Sequence, residues 1–84
     1  MPPKRRSKPR SPEHAALGEA VRTLRLEAGM SQEQLAEAAQ TDLTQVGGIE
    51  RGVRNPSYTT QLRLAAALET TVGELTTLAD RLRE

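Results

Sequence analysis

Residues 31–52 run Ser31-Gln32-Glu33-Gln34-Leu35-Ala36-Glu37-Ala38-Ala39-Gln40-Thr41-Asp42-Leu43-Thr44-Gln45-Val46-Gly47-Gly48-Ile49-Glu50-Arg51-Gly52, and the spacing inside this stretch decides the fold. Ser31 stands where a hydroxyl caps a helix, and Gln34 follows at the position from which a side chain reaches back to the cap. Met30 and Leu35 flank the cap as an apolar staple. Leu35, Ala36 and Ala39 then share an inner face, with Glu33 and Glu37 on the outer one. Thr41-Asp42 restarts a helix: Asp42 is the cap, Gln45 takes the box position, Val46 and Ile49 are the buried pair, and Gly52 is the stop.

Working outward, Ser11-Pro12-Glu13 is a helix start, with a hydroxyl cap, Pro at the first helical position and an acid in the first turn. Leu17, Val21, Leu24 and Ala28 follow on one face, and Gly29 ends the helix. Downstream, Val53-Arg54-Asn55-Pro56 is a loop, because the residue before Pro is pushed out of helical geometry. Ser57 caps a fourth helix whose face carries Tyr58, Leu62, Ala65 and Leu68. Thr71-Val72-Gly73-Glu74 forms a further capping box, opening a last helix with Val72, Leu75, Leu78, Ala79 and Leu82 on one side. The expectation is an all-α chain with five helices at 12–28, 32–39, 43–51, 58–68 and 72–83. Two short helices joined by a turn, inside a helical domain, form the helix-turn-helix geometry.

Composition bounds the chemistry. Eighty-four residues allow one small domain, here a flexible basic arm over 1–11 and a folded part over 12–84. Tyr58 is the single aromatic residue, so the core is built from Leu, Ile, Val, Met and Ala, which suits packed helices. The lack of Cys excludes disulfides, thiolate zinc sites and a Cys nucleophile, and His14 has no partner motif. No enzymatic activity, metal or cofactor is therefore expected. No apolar run approaches the ~18 residues of a membrane helix, and no apolar stretch follows the basic N-terminus as in a secretory signal. A cytoplasmic, nucleoid-associated protein is expected. Ten Arg against two Lys hints at a GC-rich bacterial genome.

The net charge of +1 hides an asymmetry. Residues 1–12 hold Lys4, Arg5, Arg6, Lys8 and Arg10 and no acid, which leaves seven basic residues against all 11 acids in the remaining 72, a net of −4. A basic arm on a mildly acidic body points to a polyanionic partner.

Several blocks together resemble the helix-turn-helix domain of the lambda-repressor/Cro type, also called the XRE family. They are Gly18 through Arg25, Gly29 through Ala36, Ile49-Glu50-Arg51-Gly52, Arg54-Asn55-Pro56-Ser57 and Ala67-Leu68. The resemblance covers about residues 17–75; small residues at 47 and 48 are shared by some phage repressors and restriction-modification controller proteins of the family, and Gly48 through Arg51 looks like the controller type. It implies a five-helix lambda-repressor-like fold with its helix-turn-helix unit at 32–51 and the third helix in a DNA major groove. Leu43, Thr44, Gly47 and Gly48, with Gln45 at the edge, match the base-reading positions of the family. Ser31 and Gln32 match contacts to the DNA backbone, and Arg51, Arg54, Asn55 and Ser57 match the loop that grips it on the other side. Arg25 and Glu50 match a buried ion pair. Two departures stand out: Gln40 occupies a turn position where Gly is usual, and Leu43, Gly47 and Gly48 replace long polar side chains.

The function expected from this resemblance is a transcriptional regulator, a repressor in the simplest case, that binds a palindromic operator in double-stranded DNA as a homodimer. Lys4, Arg5, Arg6, Lys8 and Arg10 of the arm would add phosphate contacts. Leu78, Ala79 and Leu82, beyond the usual end of the domain, are expected at the dimer interface, making 72–83 a dimerisation helix. Glu33 and Glu37 are candidates for contact with RNA polymerase. The alternative is a protein-binding adaptor of the multiprotein-bridging-factor kind on the same fold.

Overall fold

The computed structural model describes residues 8–84. Among these, each helix begins where the sequence places its cap: α1 Pro12–Glu27, α2 Gln32–Ala38, α3 Leu43–Glu50, α4 Tyr58–Ala67 and α5 Val72–Leu82, with no strand. Ser11, Ser31, Asp42, Ser57 and Thr71 have extended backbones, and each side-chain oxygen accepts from the N–H three residues on. Every helix closes one residue short of its expected end, because Ala28, Ala39, Arg51, Leu68 and Arg83 serve as C-caps. Only the Ser31–Gln34 capping box closes in both directions. Glu74 instead accepts from the Thr70 hydroxyl at 3.2 Å, and Gln45 turns its carboxamide to Arg54.

Four of the five helices end in the same way. In α1 to α4 the residue after the C-cap is left-handed, and paired backbone bonds close the last turn. Gly29 and Gly52 fill that position after α1 and α3, with φ of 71° and 76°. Gln40 and Glu69 fill it after α2 and α4, with φ of 58° and 57°. After α2 the bonds are Gln40 N–H to Glu37 O at 3.2 Å and Thr41 N–H to Ala36 O at 2.9 Å. The turn of the helix-turn-helix unit is thus regular without its glycine, at the cost of left-handed strain on Gln40.

Leu35, Ile49, Leu64, Leu75, Val21 and Val46 are the largest fully buried side chains. Burying each contributes about 1.5–3 kcal/mol relative to exposure. α1 packs mainly on α5 and α3, and α2 on α3. Gly18 sets the distance between α1 and α3. A Cβ there would fall on the carbonyls of Ile49 and Glu50, 2.5 Å from the latter. The α4 face differs from the expected one: Leu64, Ala65 and Leu68 are buried, while Tyr58 and Leu62 are 66% and 45% exposed. Ala65 and Leu68 fit either stripe, and contacts with α2 and α5 select the side carrying Leu64.

The apolar stripe of α5 also divides. Leu75 and Ala79 lie in the core, Leu78 is half-buried against it, and Leu82 is 42% exposed. Ala79, expected at a dimer interface, is used inside the chain because α5 folds back on α1. Arg83 fastens the far end of α5 to Glu13 at 3.2 Å. The Glu13 carboxyl is held below its ordinary range by its own backbone N–H, the Ser11 hydroxyl and Arg83, in that order.

Replacing Gln40 by Gly removes the left-handed strain and makes the unfolded chain more flexible. The first effect is the larger, about 1–2 kcal/mol against roughly 0.5–1 kcal/mol. Urea denaturation followed by circular dichroism should therefore show Gln40→Gly more stable by about 0.5–1 kcal/mol. A variant less stable than the parent would mean that Gln40 holds the turn by a side-chain interaction.

Candidate nucleic-acid interface

A buried ion pair positions the helix-turn-helix unit. Arg25 of α1 and Glu50 of α3 are 8% and 9% exposed. Arg25 Nε donates to Glu50 Oε2 at 2.6 Å, Nη2 to Oε1 at 3.1 Å, and Nη1 to Met30 O at 2.8 Å. Gln32 Nε2 adds a bond to Glu50 Oε1 at 3.0 Å. One arginine thus ties α1 to α3 and to the turn before α2, and one carboxylate receives both Arg25 and the first residue of α2. The bonds to Glu50 raise the Arg25 pKa above its ordinary value, against the opposing effect of burial. A raised pKa stabilises the fold below the unfolded value and fails only as pH rises past the folded one, so this contribution is intact at neutral pH.

The face that α3 presents is narrower than expected. Leu43 and Thr44 are exposed at its first turn, and Gln45 is half-buried. Gly47 and Gly48, expected on an open surface, are buried. Two arginines account for this. A Cβ on Gly47 would lie 3.1 Å from Arg51 Nη1, and one on Gly48 would lie 2.5 Å from Arg54 Cγ and 2.8 Å from Cδ. Arg54 therefore lies across α3 in the space a side chain at 48 would occupy, and its Nη1 donates to Gln45 Oε1 at 3.2 Å. The sequence signal was the Gly-Gly pair inside a helix, a mark of close approach. Propensity alone could not say what approaches.

The other candidates flank this face. Ser31 is exposed, with its hydroxyl committed to the cap of α2, and Gln32 points its amide nitrogen inward to Glu50. Asn55 is exposed, and the Ser57 hydroxyl accepts from Thr60 N–H and donates to Thr60 Oγ1, each at 3.1 Å. Glu33 and Glu37 are exposed on α2. Lys8 and Arg10 are exposed at the root of the arm, and the Arg10 backbone N–H donates to Gly52 O at 2.8 Å. Lys4, Arg5 and Arg6 lie outside the described residues. Ion pairs among the described residues join Arg25 to Glu50 and Arg83 to Glu13, so Arg10, Arg51 and Arg54 carry unneutralised charge there.

Residues 21–75 match the family described as helix-turn-helix. The control protein C.SmaI of Serratia marcescens is 44% identical over 61 residues, which are 73% of each chain. The crystal structure of the restriction-modification controller protein C.AhdI from Aeromonas hydrophila superposes with a TM-score of 0.76 at 42% identity, over 77% of this chain and 98% of that one. The controller protein C.Esp1396I, solved as a tetramer on its natural 35 base-pair operator, gives 0.79 at 27% identity, over 87% and 96%.

Two outcomes test this arrangement. Glu50→Leu alone strands the Arg25 charge in the core and should lower stability by about 3–5 kcal/mol, while the double replacement Arg25→Met with Glu50→Leu should recover most of it. Denaturation of the three proteins provides the comparison, and a double variant as unstable as the single one would refute the isolated-charge explanation. The glycines should separate. Gly47→Ala needs only the far end of Arg51 to move and should gain up to ~1 kcal/mol of helix propensity. Gly48→Ala strikes the Arg54 stem, so thermal melts should show less or no gain and nuclear magnetic resonance should show the Arg54 side chain displaced. Equal gains with Arg54 in place would mean that Gly48 is not a seat.

Proposed function

The chain belongs to the helix-turn-helix family, and on that premise we propose that it is a sequence-specific DNA-binding transcriptional regulator of the restriction-modification controller kind. The observation that carries this reading is the unneutralised arginine set around α3. Leu43 and Thr44 stand exposed at the first turn of the helix, Gln45 beside them is half-buried and holds Arg54, and Arg51 lies over Gly47. Unpaired arginines beside a helix exposed at its first turn suit the phosphate backbone of duplex DNA. The identity of 44% to C.SmaI and 42% to C.AhdI supports the controller assignment. Leu43 suits a thymine methyl, and Thr44 and Gln45 suit hydrogen bonds to base edges.

The working unit is a homodimer on a palindromic operator. A single short helix with few long polar side chains gives weak specificity, and two half-sites about 34 Å apart combine their free energies. Leu78 and Leu82 of α5 supply the apolar contact, with Ala79 behind them in the core. Glu33 and Glu37, exposed on α2, form the surface offered to RNA polymerase.

Selection from random duplexes should enrich a two-fold symmetric site, and footprinting should show both halves on one face of the duplex. Failure to enrich any sequence would overturn the regulator in favour of an adaptor that binds proteins. Leu78→Glu combined with Leu82→Glu should sediment as a folded monomer and lose at least tenfold in operator affinity. A dimer that survives this change and dissociates in Leu62→Glu would move the interface to α4. In a promoter assay, Glu33→Ala with Glu37→Ala should lower activated output at unchanged operator affinity, and unaltered output would remove the polymerase contact.

A further inference from the structure

Chemistry fixes which way Gln45 turns its carboxamide. Arg54 carries donors only, so the atom that meets its Nη1 at 3.2 Å is the carbonyl oxygen Oε1. The amide nitrogen Nε2 keeps its two protons for a partner. Gln45 stands three residues after the cap Asp42, whose Oδ1 accepts from Gln45 N–H at 2.8 Å. Gln34, the equivalent residue of α2, spends its Oε1 on the cap N–H of Ser31 at 2.8 Å. Gln45 gives its Oε1 to Arg54 instead.

Arg54 is held along its whole length. Its backbone N–H donates to Gly48 O at 3.2 Å. Its Cγ, Cδ and Nε lie 2.5, 2.8 and 3.0 Å from the place where a Cβ on Gly48 would stand. Its tip reaches Gln45, one turn earlier on the same side of α3. The bare Gly48 thus seats a stem that aims a guanidinium at one carbonyl, next in sequence to the exposed Leu43 and Thr44.

An unrestrained glutamine reads adenine, because its Oε1 accepts from N6 while its Nε2 donates to N7. Here that oxygen faces a cation. A base amino group brought to its second lone pair would stand beside the guanidinium, donor against donor. Guanine instead presents acceptors at both O6 and N7. We propose that Arg54 is a positioning residue that makes Gln45 a donor-only reader, whose Nε2 donates across O6 and N7 of a guanine and disfavours adenine. The proposal rests on the DNA-binding reading above and adds to it the identity of one base.

The test is binding to duplexes that carry each base in turn at every position of the selected site. The parent should prefer guanine to adenine about fivefold or more at one position of each half-site. Gln45→Leu should abolish that preference and no other. Arg54→Met frees the carboxamide. Besides a uniform loss on all sequences from the missing charge, its preference at that position should vanish or pass to adenine. Arg54→Lys also offers donors only and should keep guanine. Circular dichroism should show the variants folded, since Arg54 is exposed and Gln45 half-buried. A measurement on the parent alone needs no variant: 7-deazaguanine, which lacks N7, should weaken binding about fivefold when placed at that position. A parent that selects adenine there or ignores 7-deazaguanine overturns the proposal, as does Arg54→Met weakening every sequence equally with the order of bases unchanged. A preference lost in Arg54→Lys and kept in Gln45→Leu assigns the guanine to Arg54 itself and overturns Gln45 as its reader. Each of these leaves the DNA-binding reading standing, whereas a parent that binds no duplex overturns both.

Discussion

The Arg25–Glu50 pair constrains the whole reading head. Removing two charges from water costs several kcal/mol each, and the pair offsets this only through near-complete hydrogen bonding. The geometry meets that demand: Arg25 uses three nitrogens, and both carboxylate oxygens of Glu50 are engaged, one of them also by Gln32. Such a pair adds little net stability and much direction, since every bond specifies an angle. It fixes the crossing of α1 and α3 at the place where Gly18 lets their backbones meet. Glu50 is the last residue of α3, so the helix offered to a partner is oriented from its buried end.

Much of this was legible in the sequence, for local reasons. Caps act through hydrogen bonds spanning three residues, and all five are visible as Ser, Asp or Thr. Gly29 and Gly52 marked two left-handed stops. The stops at Gln40 and Glu69 are the same backbone motif without its chemical mark. The side of α4 that faces inward was not legible, because Leu62 and Leu64 both extend a stripe through Ala65 and Leu68. Neighbouring helices make that choice. The box position of Gln45 was equally ambiguous: its carboxamide could return to its own cap or receive Arg54, and only the loop after α3 decides.

The candidate interface was legible as a set of residues and less so as a surface. Spacing placed Gly47 and Gly48 on the outward side of α3, which is correct for the helix alone. It could not show that Arg51 and Arg54 lie over them. The glycines thus make room for side chains from further along the chain, so the chemistry of this helix face comes partly from residues outside it. The Arg10 tether was hidden for a related reason, since it is made by a backbone N–H that any residue except Pro could supply.

The exposure of Tyr58 has a spectroscopic consequence. As the chain's single aromatic side chain, it is the only source of ultraviolet emission, and it sits on the outside of α4 at 66% exposure. Its ring is already largely hydrated in the folded state, so opening the core changes its exposure little. Whatever covers that surface of α4, by contrast, removes water from the one chromophore. The protein thus carries its one native optical reporter on the outer surface of α4 and not in its core.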